Sequence, residues 1–425
     1  MKYRLNIGIF GTGLIEWGGG VDLLRIILGA INEGSPNSRI HLTLFLPSVK
    51  GEVPWPSYFY SAASAFKTKN PLTHLRKIYW QFRKVNPART ARDKILNVLY
   101  QSGAQFTVRH YQQQEELRRL IKRHRIDVLI PSLQNLGDGF PIPWVGYLPD
   151  LQHKSLPELF SQDERLARDK LFSGILNSAP VVVVTSQAVK KDIEAFFPEY
   201  SCKLYVWPFS PAPFDEWFDN HDEDVSRKYN LPARYFLISS QFWRHKSHLT
   251  AIKALALLRS NPEFRDVKLI CTGPTDDYRH PGYFAEVQTQ IADLDLQDEI
   301  LILGYIPKRD QIEILKHSVC LIQPTLFEGT QGGLAVYDAV GLGVRAIVSD
   351  IPVNLEIDDP LVRFFRKESA EDLAEKMILV LQELRPEINK ERQIQLKQQR
   401  IESLGDLLIE AIDAAIQSHG RRHHA

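Results

Sequence analysis

Short apolar runs recur along the chain, each followed by a longer segment whose apolar positions return every three or four residues. The runs read as strands at Leu5–Phe10, Ile40–Leu46, Val128–Pro131, Trp144–Leu148 and Val181–Thr185, and again at Phe236–Ser240, Val267–Cys271, Ile300–Leu303, Val319–Gln323 and Ala346–Ser349. Strands that are apolar on both sides and alternate with helices predict parallel sheets covered on both faces. The pattern occurs twice. Proline-rich Trp207-Pro208-Phe209-Ser210-Pro211-Ala212-Pro213 separates the two sets and is the candidate hinge. The expected fold class is α/β, with two Rossmann-like domains facing each other across a cleft and ligands at the carboxyl ends of their strands. The expected divisions are 1–208, 209–395 and a C-terminal helix and tail over 396–425.

Composition narrows the function classes. The 425 residues suit two domains rather than one core. With 52 Lys and Arg against 51 Asp and Glu, the net charge of +1 argues against a nucleic-acid partner. Cys202, Cys271 and Cys320 are widely spaced, and the last two sit in apolar runs, which predicts buried free thiols in a reducing cytoplasm. Met1–Phe10 lacks the features of a signal peptide, and no run approaches the roughly 20 apolar residues of a membrane span. The expected location is cytoplasmic.

The most informative stretch is Phe327-Glu328-Gly329-Thr330-Gln331-Gly332-Gly333-Leu334, running into Ala335-Val336-Tyr337-Asp338-Ala339. It reads as a carboxylate in a loop, a glycine turn that opens a helix, and a second carboxylate one turn in. Glycines let backbone N–H groups approach a phosphate, and a helix N-terminus carries partial positive charge. The two carboxylates are then suited to sugar or ribose hydroxyls. The competing reading is a glycine-rich loop with solvated acids. A second element begins at strand Tyr235–Ser240 and continues through Gln241-Phe242-Trp243-Arg244-His245-Lys246-Ser247-His248 into an amphipathic helix, with Ser247 as the expected N-cap. A lysine there is disfavoured by the helix dipole unless an anion is bound. In the first half, Gly18-Gly19-Gly20-Val21 follows the first strand, and Trp144–Leu148 ends in Pro149-Asp150-Leu151-Gln152-His153.

These segments together resemble the retaining glycosyltransferases of family 4. The acidic stretch resembles that family's donor-sugar motif, and the Lys246 loop its diphosphate-binding element. Three positions depart from the pattern. Asp338 stands for the usual second Glu, with a longer spacing from Glu328, Gln241 stands for the usual Arg, and Pro149 for the usual His. The resemblance implies a GT-B fold, with residues 1–208 binding acceptor, 209–395 binding nucleotide sugar, and Leu404–Ile409 passing back over the N-terminal domain. It implies a sugar moved from a UDP- or GDP-linked donor to a saccharide or lipid-linked acceptor, with no obligatory metal and no further cofactor. Lys246, Glu328, Asp150 and His153 are the expected catalytic group, His153 substituting for the missing His in substrate contact. Arg244, Gly19, Gly20, Gly332, Gly333 and Leu334 are expected on the donor phosphates, Asp338 on the ribose, and Gly273, Tyr305 and Ile306 around the base. The competing functions are a nucleotide-sugar epimerase, for which no acid–base set is evident, and a catalytically silent relative that binds without turnover.

Two further segments bear on partners. Asp293-Leu294-Asp295 mimics the acidic signature of metal-dependent transferases, but it closes a helix away from every phosphate motif and reads as a solvated turn. Arg76-Lys77-Ile78-Tyr79-Trp80-Gln81-Phe82-Arg83-Lys84-Val85 interleaves cations with aromatics. It reads equally as a peripheral membrane contact and as a basic face packed on the first domain.

Overall fold

The structure is a computed structural model that describes residues 5–15, 18–34, 40–48, 95–208, 210–219 and 222–422. The basic segment Arg76–Val85 lies outside these residues. Two parallel sheets are present among the described residues. The first contains β1 (Leu5–Phe10), β2 (Ile40–Pro47), β3 (Phe106–Tyr111), β4 (Val128–Ser132), β5 (Trp144–Leu148), β6 (Val181–Val184) and β7 (Lys203–Val206), in the order β3-β2-β1-β4-β5-β6-β7. The second contains β8 (Tyr235–Ser239), β9 (Lys268–Thr272), β10 (Ile300–Gly304), β11 (Cys320–Gln323), β12 (Ala346–Ser349) and β13 (Val362–Phe365), in the order β10-β9-β8-β11-β12-β13. Around the first sheet lie α1 (Gly18–Glu33), α2 (Gln114–Arg123), the single turn α3 (Gln152–Ser155), α4 (Gln162–Ser178) and α5 (Gln187–Phe196). The remainder are α6 (Asp222–Tyr229), α7 (His248–Arg259), α8 (Tyr283–Asp293), α9 (Lys308–His317), α10 (Gly333–Leu342), α11 (Ala370–Gln382) and α12 (Lys390–Arg422).

Alternation along each strand feeds two cores per sheet. Ile7, Ile9, Leu42, Leu44, Val128, Ile130, Val181 and Val183 pack with α1 and α12, while Phe10, Phe45, Leu129, Trp144, Val182 and Val184 pack with α2, α4 and α5. In the second sheet Phe236, Ile238, Leu269, Cys271 and Ile322 join α7, α8 and α11, and Tyr235, Leu237, Ile270, Leu321 and Val348 join α9 and α10. Each such side chain contributes about 1.5–3 kcal/mol by leaving water. Burial on both faces is why these strands read as continuous apolar runs. The three cysteines are buried and form no disulfide, and burial pushes the Cys271 thiol up to about 12.

The strands that the hydrophobic pattern does not reveal are β3, β7 and β13, and each is an outer strand of its sheet. Their sequences, FTVRHY, KLYV and VRFF, carry polar residues because an outer strand is only partly covered. A second difference concerns Gly19 and Gly20. They lie within the first turn of α1 rather than in a loop before it. Ser369 caps α11 as expected, its side chain accepting from the Asp372 N–H. Asp293-Leu294-Asp295 closes α8 with both carboxylates exposed.

The proline-rich segment does join the two sheets, but it is packed rather than free. Pro211, Ala212 and Pro213 are buried, and Trp207 donates its indole N–H to the Leu404 carbonyl at 2.9 Å. Helix α12 leaves the second half and places Ile401, Leu404, Leu408, Ala411, Ile412 and Ala415 in the core of the first sheet. It crosses the end of α1 with backbones touching. A Cβ at Gly405 would lie 2.2 Å from the Ala30 carbonyl oxygen, and one at Gly34 would lie 2.5 Å from the Gly405 Cα. Gly405→Val is therefore expected to cost about 1–3 kcal/mol of stability in denaturant titration, the usual penalty for overpacking a close contact.

Candidate active site

The carboxyl ends of both sheets meet. From the second sheet come the loops after β8 (241–247), β9 (273–282), β10 (305–307), β11 (324–332) and β12 (350–356), and from the first come those after β5 and β6. The chain returns abruptly at these ends, and glycine permits it. Gly273 has φ +135, and a Cβ there would lie 2.2 Å from the Ser240 carbonyl oxygen. Gly332 and Gly333 are left-handed at φ 72 and φ 63, opening α10.

Lys246 and Glu328 come together at the centre. The Lys246 ammonium donates to Glu328 Oε1, and both side chains are largely buried. Gln323, at the end of β11, donates its amide to the same oxygen at 3.2 Å and also to the Gly332 carbonyl. Asn354 completes the arrangement. Its Oδ1 accepts the Gly332 N–H at 2.9 Å, and its amide donates to the Ser349 carbonyl at 2.8 Å and to Gln323 Oε1 at 3.3 Å. The Gly332 N–H expected on a phosphate is thus taken by a side chain, and the Gly333 N–H points to the Thr330 carbonyl at 3.3 Å. Of the helix's first-turn donors, those of Leu334 and Ala335 remain. Ser247 is the N-cap of α7 in position only. It has φ 52, and its hydroxyl pairs with Thr250 at 2.9 Å instead of a backbone N–H.

Asp338 is ion-paired with Lys308, at the start of α9 just beyond the β10 loop. Close to this pair, Arg25 of α1 lies 4.1 Å above the Phe214 ring and donates to the Ala212 carbonyl at 2.8 Å. Burial holds the neighbouring Asp22 carboxyl above its usual range. In the β10 loop Tyr305 is 82% exposed, whereas Ile306 is buried in the domain core. Arg244 does not supply a buried second cation. Its side chain is exposed, and its backbone N–H donates to Asp277 at 2.9 Å.

The two halves touch across the cleft. Gly329 lies against the β5 loop so closely that a Cβ would be 2.4 Å from the Pro149 carbonyl oxygen and 2.7 Å from the Asp150 Cβ. The Thr185 hydroxyl lies between the Pro149 carbonyl, at 3.0 Å, and the Gly329 carbonyl. Glu356 reaches over to accept the Gln187 and Ala188 N–H groups at 3.0 and 2.7 Å, capping α5 from the opposite half. Asp150 sits at this junction, accepting the Gln152 N–H at 2.9 Å. His153 does not. Expected to contact substrate, it is 1% exposed, with Nε2 2.9 Å from Asp169 and its ring edge-on to Phe172. The ring is drawn beneath α4, which carries both Asp169 and Phe172, and burial lowers its basicity.

Residues 221–400 match the family Glycosyl transferases group 1. The chain carries a glycosyl transferases group 1 domain. Solved structures with the same two-domain GT-B fold include a glycosyltransferase from Rickettsia africae, 15% identical, with 98% of each chain covered and a TM-score of 0.59. Sucrose-phosphate synthase from Thermosynechococcus elongatus is 14% identical over 99% of this chain and 98% of its own, with a TM-score of 0.56. Anabaena HepE, in complex with UDP and glucose, is 14% identical over 99% and 100%, with a TM-score of 0.55. No curated protein sequence matches the chain.

Several residues of this candidate site carry no motif: Gln323, Asn354, Glu356, Lys308, Thr185 and Arg279. One signal does point to three of them. Gln323 ends a buried strand, and Asn354 and Glu356 soon follow another, and polar groups at the carboxyl ends of parallel strands face the ligand crevice. Because Asn354 holds three buried groups at once, Asn354→Ala is expected to cost about 1–3 kcal/mol, the penalty for orphaning buried partners. A melting scan alongside the parent checks it.

Proposed function

We propose that this glycosyltransferase moves a sugar, with retention of configuration and without a metal ion, from a nucleoside-diphosphate sugar to a saccharide or lipid-linked acceptor. The observation that carries the reading is the Lys246–Glu328 pair, set between the ends of β8 and β11 beside the N-terminus of α10. As the glycosidic bond breaks, its electron pair goes to the diphosphate oxygen. Charge grows where a fixed cation and helix N–H groups are worth most, in a site closed to water. Lys246, with the Leu334 and Ala335 N–H groups, serves that oxygen. Glu328 then turns to the sugar hydroxyls, and Asp338, released from Lys308, takes the ribose, while Asp150 faces the reacting centre from the other half. A lysine in this role supplies the charge a divalent cation would otherwise bring. The same reading assigns residues 1–208 to the acceptor, 209–395 to the donor, and 396–425 to the helix that rejoins them.

The test is nucleotide release from a panel of UDP- and GDP-sugars, with and without EDTA. The UDP held by Anabaena HepE makes uridine donors the first choice. Turnover that survives EDTA supports the reading, and release from no donor overturns it.

Two substitutions separate the roles. Lys246→Ala is expected to lower kcat/KM by about a hundredfold to a thousandfold, as removal of a group aimed at developing charge does. A fall smaller than about threefold would remove Lys246 from the mechanism. Glu328→Gln is expected to cut turnover while calorimetry shows UDP binding undiminished, since it removes the partner that competes with phosphate for Lys246. Loss of UDP affinity would show that Glu328 serves the nucleotide and not the sugar.

A further inference from the structure

Arg279, in the loop after β9, is a charged residue only 4% exposed at its side chain, and it touches both halves of the molecule. One guanidinium nitrogen donates to Gln152 Oε1 of α3 at 2.8 Å. The other lies 3.3 Å from His245 Nδ1. The flat face is enclosed by Trp243 at 4.6 Å and Tyr278 at 5.6 Å from the second half, and by Phe160 at 5.4 Å from the first. Asp277 lies 3.8 Å away and balances the charge, but its oxygens are also occupied by the Arg244 and Arg279 N–H groups.

Each end of this bridge continues to the reacting residues. On one side, the Gln152 N–H is held by Asp150. On the other, an arginine only donates, so His245 Nδ1 must present a lone pair. His245 is neutral there, because burial first, then the Lys246 and Arg279 cations, hold it well below its usual range. The His245 carbonyl in turn accepts the Leu326 N–H at 2.7 Å and the Thr325 hydroxyl at 3.1 Å, which suspends the loop that carries Glu328. Lys246 is the next residue in the chain. A five-donor planar group suits such a junction better than an ammonium, which can neither fork nor stack.

We propose that Arg279 is a positioning residue for transfer: bridging Gln152 and His245, it sets Asp150 in register with the Lys246–Glu328 pair when the halves are together. The inference rests on the assignment of Lys246 and Glu328 to the donor. It predicts that the bridge acts on the reaction and not on nucleotide affinity, because Arg279 reaches the substrate only through its neighbours.

The experiment is a double-mutant cycle with Gln152→Ala and Arg279→Lys, read as kcat, donor KM and melting temperature, with small-angle X-ray scattering of the ligand-free variants. Each substitution should lower kcat by roughly ten- to a hundredfold, the scale of an ångström-level misplacement, with donor KM and melting temperature close to the parent's. Combined, they should cost little more than either alone, since both break one bridge. Losses that multiply, or a kcat for Gln152→Ala equal to the parent's, overturn the proposal. Scattering needs no substrate, so it stands even if no nucleotide sugar is turned over: both variants should show a larger radius of gyration than the parent. An unchanged radius in both overturns the bridge whatever the activity shows.

Discussion

The site depends on one partly buried ion pair, Lys246 with Glu328. Taking two opposite charges out of water is unfavourable unless their remaining hydrogen-bonding capacity is met. Here it is met by a polar relay. Gln323 donates to Glu328 and to the Gly332 carbonyl, and Asn354 holds Gln323, Gly332 and Ser349. The relay joins the ends of β11 and β12 to the start of α10, so the glycine turn is held in its left-handed form by partners as well as by the absence of side chains. The acidic groups are neutralised internally, Glu328 by Lys246 and Asp338 by Lys308.

The two halves are joined by interactions of different kinds. Helix α12 is fixed to the first sheet by apolar side chains and by backbone contact at Gly34 and Gly405. The cleft contacts include hydrogen bonds between Thr185 and Gly329, Glu356 and the start of α5, and Arg279 and Gln152. A neutral hydrogen bond contributes only about 0.5–1.5 kcal/mol net, since water replaces it on opening. Apolar burial has no such replacement. The two halves are thus joined by apolar packing along α12 and by hydrogen bonds and close contacts where the strand-end loops meet.

The central strands were legible because burial on both faces demands apolar side chains at every position, as in Val181–Val184. Strands β3, β7 and β13 were not, since an outer strand tolerates Arg109, Lys203 and Arg363. The left-handed glycine turn at Gly332 and Gly333 was legible for a similar reason. A left-handed backbone before a helix leaves a local trace.

Whether a residue meets a partner far away in the chain leaves no such trace. His153 and Arg279 show it from opposite directions. His153 stood in a promising loop and is buried against Asp169, whereas Arg279 stood among unremarked polar residues and spans the cleft. Lys246 and Glu328 were assigned to separate roles, and only folding makes them partners. The sequence by itself determined the alternation of strand and helix, the doubling of the sheet and the local chemistry of each strand-end loop, because those depend on neighbours a few residues apart. Tertiary structure decided which charges face each other, which first-turn N–H groups stay open and which side chains cross the cleft, because those depend on where distant loops meet.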